Sequence, residues 1–159
     1  MSVGQQLSFV SFEWKEGKLR PLLSVKGFES IKGDPERILE GGERVYASFL
    51  KDARLLLKQT DAFRAKKTPI PARMIWRLGN SIFVLTSKLQ SLGLQLDELY
   101  EHLERDLGVK RKWLEKVITF RRYLPDAELI PSSLNWGKCE KGTRRVAKLL
   151  KKREKRPHG

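Results

Sequence analysis

The sequence predicts a mainly α protein: a helical bundle containing a helix-turn-helix-like hairpin, with a short β-hairpin near the N-terminus. Three observations carry this expectation. From residue 43 onward apolar residues recur at spacings of 3 and 4, the period of one helix face. Prolines cluster between those periodic segments, where they end helices. A run of aromatic and β-favouring residues occurs only near the start, in LSFVSFEW at 7–14. At 159 residues the chain has room for one real core and not for two sizeable ones. A composition 40% hydrophobic and 33% charged is that of a globular protein with a well-charged surface.

Residues 1–33 are read as an N-terminal extension. After LSFVSFEW, KEGK at 15–18 can turn the chain so that LRPLLSV at 19–25 pairs back. Pro21 confines the second strand to a sheet edge, because proline has no N–H to give a ladder. Residues 34–137 are read as the helical domain. Asp34 before Pro35 suits a helix start, an acceptor followed by a residue already fixed in helical φ. Gly41–Gly42 is expected to interrupt that helix, and a longer one to run from 43 to 65 with Val45, Phe49, Ala53, Leu56 and Leu57 inward. KKTPIP at 66–71 is a linker. The helix over 72–92 places Ile75, Leu78, Ile82, Leu85, Leu89 and Leu92 on one seam. That seam suits a central core helix, and alternatively a homodimer contact. Gly79 inside it costs about 1 kcal/mol against alanine, which points to close packing of another helix there.

Residues 96–124 form the helix-turn-helix-like unit. Leu96, Leu99, Leu103 and Leu107 line the first helix, and Gly108 can take the left-handed conformation that ends it. The second helix turns Leu114, Val117, Ile118, Phe120 and Tyr123 or Leu124 inward. Its other face carries Lys110, Arg111, Lys112, Lys116, Arg121 and Arg122. In a helix-turn-helix such a second helix lies in the DNA major groove, with its cations on phosphates or guanine edges. Glu104 departs from the pattern, since that place usually takes a small residue. The same leucine spacing also suits a plain hairpin in a helical core, its basic face merely solvated.

Pro125 ends the second helix, DAELIPSS is a loop, and Ser132 or Ser133 would cap a short helix containing Leu134 and Trp136. Gly137 and Gly142 leave a break before the last element. Residues 138–159 are read as a basic C-terminal helix and tail. KCEKGTRRVAKLLKKREKR at 138–156 holds ten Lys or Arg against two Glu, +8 of the chain's +14. Val146, Leu149 and Leu150 would anchor it, with fraying from Lys155, while Arg144, Arg145, Lys148, Lys151 and Lys152 meet phosphates.

The charge makes nucleic acid the expected partner. A membrane partner is disfavoured, because the basic segments lack a broad apolar face for insertion. Catalytic motifs are missing: there is no Gly-rich phosphate loop, nucleophile elbow or CxxC, and the carboxylates of 97–106 sit at ion-pairing spacings. No enzyme activity, cofactor or metal site is expected. Cys139 is the lone cysteine, and His102 and His158 have no ligand spacing. With no apolar run near 18 residues and no basic-then-apolar leader in MSVGQQLSF, a reduced, cytoplasmic location is expected.

Trp76–Leu78–Gly79, Leu107–Gly108, Leu114, Phe120–Arg121, Pro125, Leu134–Asn135–Trp136 and Arg144–Arg145 follow in an order that resembles the N-terminal helical domain of the DUF1016 family of nuclease-associated proteins. The resemblance covers residues 71–150. It implies a helical DNA-binding or assembly module. Members of that family continue into a nuclease domain that this sequence does not carry, so cleavage is not implied. The expectation is therefore a non-enzymatic protein that binds nucleic acid, duplex DNA before RNA. The alternative is a helical structural subunit of a ribonucleoprotein or defence complex, binding RNA backbone and protein partners.

Overall fold

The computed structural model describes residues 10–15, 18–22, 35–96 and 98–154. The elements in order are β1 (Val10–Lys15), β2 (Lys18–Leu22), α1 (Pro35–Ala65), α2 (Ala72–Ser91), β3 (Leu94–Leu96), α3 (Leu99–Leu107), α4 (Arg111–Tyr123), a 3-10 turn (Ala127–Leu129), α5 (Trp136–Glu140) and α6 (Thr143–Glu154). The protein is mainly helical, as the apolar periodicity predicts. No helix among the described residues is long and apolar enough to cross a membrane.

The chain divides into two compact units, each discontinuous in sequence. The first comprises 1–51 and 83–108, and the second 52–82 and 109–159. The division falls within α1 and α2, not at residues 33 and 137.

In the first unit β1 pairs antiparallel with β2, as expected, and the sheet order is β2-β1-β3. β2 lies at an edge, where Pro21 is tolerated. The third strand was not expected. Leu96, read as the start of a helix, instead lies in β3, which runs parallel to β1 with Leu94 opposite Val10 and Leu96 opposite Phe12. Periodicity cannot separate a three-residue strand from a helix end, because both show apolar residues two to four apart. Leu94 and Leu96 are buried with Tyr46, Phe49, Leu50, Leu85, Leu89 and Leu103. Tyr46 stacks on Phe49 with centroids 5.9 Å apart and donates its hydroxyl to Asp106 on α3.

α1 runs through Gly41–Gly42 without the expected interruption. Each glycine costs about 1 kcal/mol in a helix. Burial of Tyr46, Phe49 and Leu50 just beyond outweighs that cost, at about 1.5–3 kcal/mol for each large side chain. The inward stripe keeps Phe49, Ala53 and Leu57 of the expected one and is shifted at the other positions. Tyr46, Leu50, Ala53, Leu57 and Thr60 are buried, whereas Val45 and Leu56 are only half-buried.

In the second unit Ile75, Leu78 and Ile82 of α2 are buried, and in the first unit so are Leu85 and Leu89. All five are at most 2% exposed, so core packing already occupies the seam that would have served a homodimer. Leu92 lies past the helix end and is half-buried. Gly79 marks the close helix approach that its cost implied. A Cβ there would stand 2.9 Å from both the Val117 carbonyl oxygen and Arg121 Cβ of α4. The 66–71 linker is pinned rather than loose: Ile70 O accepts from Trp136 N at 2.7 Å, and Ala72 N donates to Leu134 O at 3.0 Å. α5 is capped by Asn135, whose Oδ1 accepts from Lys138 N at 3.2 Å, and not by Ser132 or Ser133. Cys139 is fully buried, and burial pushes its thiol up to about 11.

Gly79→Ala and Gly41→Ala should move stability in opposite directions. At Gly79 the added methyl meets backbone, so a net loss of about 1–2 kcal/mol is expected despite the propensity gain. At Gly41 it meets only the two Leu92 methyls, at 3.5 Å and 3.9 Å, so a gain of up to about 1 kcal/mol is expected. Urea titration of both variants reads the difference, and equal effects would contradict the close approach at Gly79.

Candidate nucleic-acid interface

Ten of the eleven expected contact residues lie on α4 and α6, which pack against each other within the second unit. Lys110, at the N-cap of α4, also belongs to that unit, so the fold does bring all eleven into one compact body. The segments forming it carry 23 Lys or Arg against 7 Asp or Glu, a net +16. Those forming the first unit carry 10 against 12, a net −2. The whole positive excess of the chain therefore resides in one unit, which no linear reading of 159 residues displays.

Local sequence explains how α4 presents its cations. Gly108 adopts φ 67° and donates to Glu104 O at 2.9 Å, closing α3. Lys110 is extended at the start of α4, and Leu114, Val117, Ile118 and Phe120 are buried as the spacing required. That leaves Arg111, Lys112, Lys116 and Arg122 exposed. Lys112, Lys116, Thr119 and Tyr123 stand at i, i+4, i+7 and i+11, one stripe along the helix. Arg111 pairs with Glu115 at 3.2 Å, both half-exposed, a contact worth about 0.3–0.5 kcal/mol.

Arg121 is the correction within this set. It points toward α2 rather than outward: Nε donates to Asn80 Oδ1 at 2.9 Å, and the guanidinium lies 5.4 Å from the Trp76 ring. Burial holds its pKa below the ordinary arginine value. Gly79 admits its Cβ at the helix contact, so Arg121 serves as an inter-helix strut. Trp76 completes the arrangement by donating Nε1 to Leu124 O at 2.6 Å, satisfying a carbonyl at the end of α4. Leu124, not Tyr123, is the fully buried residue there.

α6 also differs from expectation. Thr143, Ala147 and Leu150 face inward, Val146 is half-buried, and Leu149, expected as an anchor, is 55% exposed. The buried apolar residues of the helix are Ala147 and Leu150, and Leu149 falls on its outer face. The expected fraying from Lys155 falls outside the described residues. Arg144, Lys148, Lys151 and Lys152 are exposed. Arg145 folds back over Gly142, where a Cβ would meet its Nε at 3.4 Å.

The residue that sequence reasoning missed is Tyr123. Arg144 lies 4.8 Å from its ring centroid and Lys148 5.5 Å. Such cation–ring contacts contribute about 0.5–1 kcal/mol at exposed sites. The signal was present, in an aromatic ending a basic helix, but its cations come from a segment 21 residues further on. Arg122, Tyr123, Lys148, Lys151 and Lys152 line a groove of about 330 Å³. No carboxylate is in that lining, and Arg122, Lys151 and Lys152 make no ion pair among the described residues. A second concavity of about 380 Å³ is lined by both Arg64 and Glu140, so its walls lack a single sign of charge. No family model, curated protein or solved structure matches this chain.

Neighbouring arginines should behave differently. Arg121→Ala is expected to cost about 1–2 kcal/mol by stranding Asn80 and uncovering Trp76. Arg122→Ala should stay within about 0.5 kcal/mol, as exposed substitutions do. Thermal unfolding of the pair checks this, and equal losses would contradict the strut assignment.

Proposed function

We propose that the protein binds nucleic acid without catalysing a reaction, duplex DNA in first place, through the α4–α6 face. The observation that carries this reading is the groove lined by Arg122, Tyr123, Lys148, Lys151 and Lys152, with no carboxylate among them. Unpaired cations on two packed helices cost self-repulsion, and a polyanion relieves it. In this reading α4 is the groove helix of a helix-turn-helix-like unit, with Lys110, Arg111, Lys112 and Lys116 toward base edges and nearby phosphates. Arg144, Lys148, Lys151 and Lys152 hold the backbone, a contact that carries no sequence information. Arg121 is left out of the contact set. A cytoplasmic location belongs to the same proposal.

Removing α6 would not test it, because Ala147 and Leu150 are part of the core. Charge substitution is the clean probe. Lys151→Ala should weaken binding to all duplex sequences alike and reduce the salt slope by about 1. Arg111→Ala should change which sequences are preferred. Titrations at several salt concentrations check both, and identical behaviour of the two variants would defeat the division of roles. Stronger binding to duplex RNA than to duplex DNA would transfer the reading to the ribonucleoprotein alternative.

A further inference from the structure

We infer that the α4–α6 groove takes an unpaired nucleotide, so that the preferred ligand is a duplex carrying a single-stranded overhang; this rests on the nucleic-acid reading above. Duplex backbone needs only outward-pointing cations, and Lys112 and Lys116 on the exposed face of α4 supply those. The groove supplies something else. It is concave, and at about 330 Å³ it sits at the low end of the 300–1,000 Å³ range of small-ligand pockets, the size of one nucleotide unit. Its lining combines cations from both helices with one aromatic ring. That pairing of a positive groove with an aromatic platform is how single strands are held, phosphate on the cations and base on the ring.

Tyr123 is suited to the platform role by its surroundings. It ends α4, followed by the fully buried Leu124, whose carbonyl is bonded to Trp76. Arg144 and Lys148, one turn apart on α6, approach its ring from the α6 side, at 4.8 Å and 5.5 Å from the centroid. A base still stacked in a duplex presents only its edge to the grooves and cannot lie against a ring. One that has left the stack can do so, its phosphate falling among Arg122, Lys148, Lys151 and Lys152.

The test is an anisotropy titration of the full chain with three DNA probes: a blunt duplex, that duplex with a short overhang, and the overhang duplex with abasic overhang sugars. The overhang probe should bind about tenfold more tightly than the blunt one, and the abasic overhang should lose most of that gain. Tyr123→Leu should reduce the overhang-to-blunt ratio toward unity, while Tyr123→Trp should retain it. Equal affinity for blunt and overhang probes would overturn this inference and leave nucleic-acid binding standing. An abasic overhang as good as an intact one, or an undiminished ratio in Tyr123→Leu, would overturn the stacking role. Absence of binding to all three probes at low salt would instead overturn the nucleic-acid reading itself.

Discussion

The close approach of α2 and α4 at Gly79 is the constraint on which the second unit depends. With no side chain at that position, the backbone of α4 at Val117 comes nearer than any Cβ would allow. Arg121 then lies along α2, bonded to Asn80 and set against Trp76, and Trp76 in turn donates to the carbonyl of Leu124 at the end of α4. The rotation of α4 about its axis follows from these contacts. Once Val117 and Arg121 face α2, helix geometry puts Lys112, Lys116 and Arg122 on the far side. Tyr123 is brought to the neighbourhood of α6 by the same rotation.

The energetics of that unit are divided between core and charge. Burial of Ile75, Trp76, Leu78, Leu114, Val117, Phe120, Trp136 and Leu150 supplies the driving force. Against it stands a net +16, which disfavours compactness through self-repulsion. Contacts such as Arg144 and Lys148 with Tyr123 offset only a little of this, since the ring is neutral and the sites exposed. The first unit, near neutral, has no such conflict. An anionic ligand on the α4–α6 face would thus act where the fold is most in need of counter-charge.

Much of the helical framework was legible in the sequence, for a simple reason. Periodicity reports which face of a long helix avoids water, and α2 and α4 have strong, uninterrupted patterns. The glycine at 108 and the proline at 125 marked ends because their restrictions are local. Where the competing costs are small, local sequence does not decide the outcome. Gly41–Gly42 could not say whether tertiary burial would exceed about 2 kcal/mol of propensity. Leu94–Leu96 was too short to show a period, and its strand exists only because β1 offers a parallel edge.

The sequence by itself determined the amount of charge, its concentration toward the C-terminus, and the amphipathic faces that make the protein mainly helical, because these depend on residue identity and local spacing. Only the tertiary structure decided which cations face water and which serve the fold. Arg121 and Arg122 are adjacent and chemically identical, yet one braces two helices and the other lines a groove. The difference is about 100° of helix rotation, and contacts far away in sequence set that angle. The same contacts bring Tyr123 beside Arg144 and Lys148, and gather the excess positive charge into one unit built from two separate stretches of chain.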